Sequence, residues 1–188
     1  EDKNGIILTG SNDGLNQIKN FIVTKIRNNG SSHVSKIIRD SSGYIWVSYF
    51  DDGIYRYESG KFNSIPLPSG AKNICELSSD VKGNIWAGSL SGSIYRMNAS
   101  YGSLSYSAVI SPNTPISKII GLNDDAWIST LGKGLYSLKN GIVDYHGKEF
   151  GLYHDMIISI LSDNENNIWV GTVGAGLFKI RKDKVIVF

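Results

Sequence analysis

The chain has 188 residues and a mass of 20.6 kDa, room for one substantial core or at most two small ones. Hydrophobic residues make up 41% and charged residues 19%, which excludes a disordered chain and a coiled coil. The 19 Lys and Arg against 17 Asp and Glu leave a formal net charge of +2, without the clustered basic excess of a nucleic-acid surface.

In chain order, the first unit is degenerate. Asp2 and Gly5 bracket a turn before the short strand Leu8-Thr9-Gly10-Ser11, and Asp13-Gly14-Leu15 follows. The second unit has Val34 and Ile37 three apart, then Asp40 and Gly43 around a turn. Ile45-Trp46-Val47-Ser48, Gly53, the pair Ile54-Tyr55, and a last strand at Gly60-Lys61-Phe62 complete it. The third repeats this grammar with Ile74 and Leu77, Asp80 and Gly83, Ile85-Trp86-Ala87-Gly88, and Ile94-Tyr95, with Ser93 in the glycine place. The fourth has Ile116 and Ile119, a turn one residue shorter with Gly121 where the Asp would fall, Ala126-Trp127-Ile128-Ser129, Gly134 and Leu135-Tyr136. The fifth has Ile157 and Ile160, Asp163, Ile168-Trp169-Val170-Gly171-Thr172, Gly176 and Leu177-Phe178, with a last strand from Val185.

The tryptophans therefore stand 40, 41 and 42 residues apart, and self-similarity at a fixed period of this length marks a repeat architecture. Each unit carries four short strands separated by turn residues and no helical period. With 21 Gly against 4 Pro, the turns rely on glycine's access to positive φ. Four strands in about 40 residues is the arithmetic of a β-propeller blade. The expected fold is all-β: a propeller of four-stranded antiparallel blades, with about four complete repeats and one partial. Boundaries fall at approximately 1–30, 31–70, 71–112, 113–153 and 154–188. The tryptophans are expected between adjacent blades as large apolar fillers, each worth roughly 3–5 kcal/mol against alanine. The lone Cys75 excludes an intrachain disulfide and a Cys-rich zinc site, and reads as a small buried apolar residue in a strand.

The run from Tyr153 to Phe178, YHDMIISILSDNENNIWVGTVGAGLF, resembles the two-component regulator propeller repeat, and the other four copies extend the likeness over essentially the whole chain. The resemblance implies a periplasmic sensor propeller of a hybrid histidine kinase of the Bacteroidetes type. Such propellers usually have seven blades, so five copies imply a fragment of a longer, membrane-anchored protein. No apolar run here approaches the ~20 residues of a membrane helix. Apolar blade faces left open would be covered by further repeats or by a second copy of the chain.

Function is expected where the copies differ, on the loops. In a propeller, the loops joining second to third strands share a face with those joining successive blades. Tyr49, Phe50, Asp51 and Asp52 stand out there, because two aromatics and two carboxylates replace small residues. Aromatic faces flanked by acids suit a sugar, whose CH groups stack while its hydroxyls are bound. His33, His154 and Asp155 are further ligand-binding candidates on that face. The sequence has no Gly-x-Ser-x-Gly elbow, His-Glu-x-x-His or phosphate-binding glycine motif, and three histidines leave little for a metal site. No catalytic activity, cofactor or metal is expected of this chain. The expected function is extracellular sensing of carbohydrate fragments for two-component signalling. A stand-alone glycan-binding or assembly scaffold is the alternative, and a polysaccharide-degrading enzyme using Asp51, Asp52 and Asp155 is a third reading.

Overall fold

The computed structural model describes residues 5–26, 33–58, 61–98, 105–110, 113–122, 124–148, 151–152, 155–181 and 184–188. Five antiparallel sheets follow one another along the chain, each formed by consecutive strands. The first has three strands, β1 (Ile7–Ser11), β2 (Gly14–Lys19) and β3 (Ile22–Ile26). The second contains β4 (Val34–Arg39), β5 (Ile45–Tyr49), β6 (Gly53–Glu58) and β7 (Lys61–Ile65). The third contains β8 (Ile74–Ser79), β9 (Asn84–Ser89), β10 (Ser93–Asn98) and β11 (Ser105–Val109). The fourth contains β12 (Ile116–Leu122), β13 (Asp125–Thr130), β14 (Leu135–Lys139) and β15 (Ile142–His146). The fifth contains β16 (Ile157–Ser162), β17 (Ile168–Thr172), β18 (Leu177–Arg181) and β19 (Lys184–Val187). These are propeller blades, and β4, β8, β12 and β16 are the inner strands, touching one another in succession.

The core is divided among the junctions between blades. Trp46 packs with Ile74, Leu77 and Ile85 of the third blade, Trp86 with Ile116 and Ile119 of the fourth, and Trp127 with Ile157 and Ile160 of the fifth. The expected filler role holds for these three, whereas Trp169 is half-buried on the open side of the fifth blade; three of the four indoles also serve as donors. Trp46 Nε1–H donates to Asp40 at 2.7 Å, Trp169 to Asp163 at 2.9 Å and Trp86 to Asp80 at 3.4 Å. Each acid also accepts a backbone N–H inside its own turn: Asp40 from Tyr44, Asp80 from Asn84 and Asp163 from Asn167, all at 2.9 Å. Gly43 and Gly83 take the positive φ that the turn requires, and Asn166 takes it in the fifth blade. A cation covers each indole: Arg56, Arg96, Lys139 and Lys179 lie 4.8–5.9 Å from the ring centroids. In the fourth blade the register corrects one expectation. Ile38 pairs Trp46 and Ile120 pairs Trp127, so Leu122, not Gly121, occupies the place of Asp40. Gly121 instead lies where a Cβ would come within 2.4 Å of the Trp86 indole.

The three-residue spacing of the apolar pairs has a physical cause. Every inner strand carries a bulge at the same point, between Val34 and Lys36, Ile74 and Glu76, Ile116 and Lys118, and Ile157 and Ser159. The extra residue shifts the alternation, so positions three apart face the same junction. The bulged residues clasp neighbouring blades. The Ser35 hydroxyl donates to the Ile74 carbonyl at 2.7 Å, and Ser117 donates to the Ile157 carbonyl at 2.7 Å. Cys75 is therefore more than an apolar filler, because its thiol reaches the Ile116 carbonyl at 3.3 Å. Burial pushes that thiol up to about 11, which keeps it protonated as a donor at neutral pH.

The last blade leaves an apolar side open. Leu161 and Leu177 are 65% and 41% exposed, around a hollow that Ile160, Trp169, Ser159 and Gly171 also line.

Candidate ligand-binding face

The hairpin after each second strand is built the same way in four blades. A hydroxyl three residues after the Trp place closes it: Ser11 to the Gly14 carbonyl, Ser89 to Ser93, Thr130 to Gly134 and Thr172 to Gly176. The second blade has Tyr49 at that position, and the larger side chain cannot close so tight a turn. Its ring turns inward instead. Tyr49 is fully buried at the end of β5, among Leu15, Val34 and Val47, edge-on to Tyr55 at 5.6 Å. This corrects the expectation of an exposed aromatic at Tyr49. Among the described residues its hydroxyl has no hydrogen-bond partner, and burial, with Tyr55 and Asp52 adding to it, pushes its ionisation up to about 12.

The next position forms a backbone rung with the residue just before the inner strand. Phe50 N–H donates to the His33 carbonyl, Leu90 to Asn73, Leu131 to Pro115 and Val173 to Met156, at 2.9–3.0 Å. Four residue pairs thus line one face of the propeller. Three of their apolar members, Leu131, Met156 and Val173, are 42–43% exposed. In the second blade the pair is aromatic: the His33 and Phe50 rings stack at 5.3 Å and 14°. Two candidates far apart in sequence are thereby joined. Asp51 beside them is exposed. Asp52 is half-buried and accepts the Tyr55 hydroxyl at 2.9 Å, so it is less available to a ligand.

Asp155 belongs elsewhere on the face. Its carbonyl accepts the N–H of Gly134 at 2.8 Å and of Gly132 at 3.1 Å, while its carboxylate receives the Tyr145 hydroxyl at 3.4 Å. It buttresses the hairpin of the fourth blade. His154 lies outside the described residues. Among the described residues no group of three or more His, Cys, Asp or Glu is placed to hold a metal ion.

Blades, bulges and a loop face of paired residues define the chain as part of a β-propeller domain. Residues 154–174 match the family described as two component regulator propeller. The same fold occurs in the extracellular domain of a hybrid two component system from B. thetaiotaomicron, at 26% identity and TM-score 0.73 over 92% of this chain and 25% of that one. A second such domain from that organism superposes at TM-score 0.81 and 16% identity, covering 99% of this chain and 28% of the other. Virginiamycin B lyase from Staphylococcus aureus shares the fold at TM-score 0.77 and 15% identity, over 96% of this chain and 68% of the enzyme. The chain thus spans about a quarter of the two extracellular domains it resembles. A comparison with curated proteins finds no match.

Proposed function

We propose that this chain is part of the ligand-sensing propeller of a two-component signalling protein, lying on the periplasmic side of the membrane and responding to a carbohydrate fragment. The observation that carries the reading is the His33–Phe50 stack beside the exposed Asp51, the one aromatic pair among the four described loop-face pairs. A pyranose lays its CH groups on such a stack while its hydroxyls reach the carboxylate. The regulator propeller repeat at 154–174 and the likeness to extracellular domains of hybrid systems support signalling as the output. The bound sugar acts by favouring one arrangement of the propeller against its neighbours. Further blades of the same protein cover the open side of the fifth blade, where the last inner strand repeats the bulge of those already docked.

The test is a calorimetric screen with plant and host oligosaccharides on the wild type, Phe50→Ala and Tyr49→Ala. A sugar covering one ring face buries on the order of 60 Å2 of apolar surface, worth about 1.5 kcal/mol or roughly tenfold in Kd. Phe50→Ala should therefore bind about tenfold more weakly with little change in melting temperature. Tyr49→Ala, which empties a buried site, should lower stability by roughly 3–5 kcal/mol. A Phe50→Ala protein that binds as tightly as the wild type would remove the stack from the site.

A further inference from the structure

The residue that follows each bulge holds an equivalent place on its inner strand. In the second, third and fourth blades these residues are Lys36, Glu76 and Lys118, paired on equivalent rungs with Ser48, Gly88 and Ser129. The fifth blade has Ser159 there. Their side chains come from three successive inner strands and meet one another, which is possible only where those strands converge toward the propeller axis. Lys36 Nζ lies 2.9 Å from Glu76 Oε2, and Lys118 Nζ lies 3.4 Å from the same oxygen.

This is an unbalanced group. Two amines share one carboxylate oxygen, so they crowd each other and leave one positive charge over. The Glu76 side chain is 6% exposed, whereas Lys36 and Lys118 are 26% and 36% exposed, so the acid lies beneath and the amines face the solvent. Burial lowers the Lys118 amine and the neighbouring Lys36 lowers it further, against a partial gain from Glu76. Burial acts the same way on Lys36, but its bonds to Lys118 and Glu76 outweigh it and leave that amine raised. A second anion opposite Glu76 would relieve the crowding and complete the charge balance.

We infer that Lys36, Glu76 and Lys118 form a binding site for an oxyanion on the propeller axis, and that the group it takes is the carboxylate of an acidic sugar. The site lies two rungs, about 7 Å, inside the loop face that carries His33 and Phe50. A uronic acid seated on that face can direct its carboxylate inward. Only the sugar part rests on the function proposed above; the anion site stands on the three side chains alone.

Backbone amide NMR titrations of the isotope-labelled chain separate the two. The probes are sodium glucuronate, inorganic phosphate and glucose. Saturable shifts of inner-strand amides around Lys36, Glu76 and Lys118 are expected with glucuronate and not with glucose. Lys118→Met and Lys118→Gln should each weaken glucuronate binding at least tenfold while the rest of the spectrum keeps its folded dispersion. Glu76→Gln removes the competing carboxylate and should tighten binding severalfold, a gain that a purely structural carboxylate would not give. Phosphate binding without glucuronate binding would keep the oxyanion site and overturn its assignment to a sugar. Inner-strand shifts that are absent with every anion, or that survive unchanged in both Lys118 variants, would overturn the site itself.

Discussion

The bond between the turn aspartate and the indole makes a prediction that can be graded from one blade to the next. In the second blade Asp40 is 5% exposed and Trp46 is fully buried, and the indole N–H meets the carboxylate at 2.7 Å. A charge-assisted bond of this kind contributes about 1.5–3 kcal/mol. Asp40→Asn keeps the turn's shape and loses the charge, so about 1–2 kcal/mol is expected. Trp46→Phe loses the donor and part of the ring, so roughly 2–4 kcal/mol is expected. Once the indole N–H is gone, Asp40→Asn removes nothing further from it. The double variant should then fall short of the sum by about 1–2 kcal/mol. For a chain of this size each kcal/mol moves the melting temperature by roughly 2–4 °C, so calorimetry and urea titration both resolve the difference. The coupling should decrease from Asp40/Trp46 to Asp163/Trp169, where the bond is 2.9 Å and the indole is half-buried. It should be smallest at Asp80/Trp86, where the bond lengthens to 3.4 Å and Asn84 Nδ2 takes the same oxygen at 2.7 Å. Additivity within about 0.5 kcal/mol at Asp40/Trp46 would mean that the acid serves its turn alone.

Two further outcomes follow from the junctions and from the last turn. A Cβ at Gly88 would lie 2.6 Å from Ile116 Cγ2 and 2.8 Å from its Cβ, so Gly88→Ala should overpack the junction and cost about 1–3 kcal/mol in urea unfolding. Gly171→Ala meets chiefly the Ser159 hydroxyl, which can rotate away, and should cost less; equal losses would refute the close approach of blades at Gly88. Asp163 is held well below the usual carboxylate range, first by the Asn167 side chain and then, against burial, by the Trp169 indole and the turn amides. A depressed carboxylate stabilises the fold above its unfolded pKa of about 4, and this is lost as the pH falls through the lower folded value. Asp163→Asn should therefore flatten the fall in stability between about pH 5 and pH 2, and an unchanged acid limb would exclude Asp163 as its source.

Much of the architecture was legible because the tryptophan period and the strand-turn grammar reinforce each other along the chain. The indole lock was legible too, in the constant six-residue offset from Asp40 to Trp46, Asp80 to Trp86 and Asp163 to Trp169. It stayed hidden because a turn aspartate already has a sufficient local explanation. Tyr49 was misplaced on the loop for a different reason. Its equivalents Ser89, Thr130 and Thr172 end their strands, and only that alignment shows that position 49 is the last of β5. Cys75 reads as apolar by composition, whereas its equivalents Ser35 and Ser117 mark the position as a donor. The Lys36, Glu76 and Lys118 cluster could not be assembled from a two-residue period, since the bulge reverses the faces between Val34 and Lys36.

That reversal explains how one repeat can keep its fold and vary its chemistry. Without the bulge, Val34 and Ile37 would face opposite ways, and the inner strand could fill only part of a junction. With it, both face the packed interior and the residue between blades becomes a clasp. The position after the bulge then lies outside the pair that fills the junction. Its occupants are free to differ: Lys36, Glu76, Lys118 and Ser159 fill one position of the repeat while the apolar residues on either side remain aliphatic. Exchanging Lys36, Glu76 or Lys118 alters charge on the inner strands while Val34, Ile74 and Ile116 keep their places in the junctions. Exchanging Val34, Ile74, Ile116 or Ile157 does the opposite. The charge carried by the inner strands can thus be retuned by single substitutions at rungs whose neighbours hold the blades together.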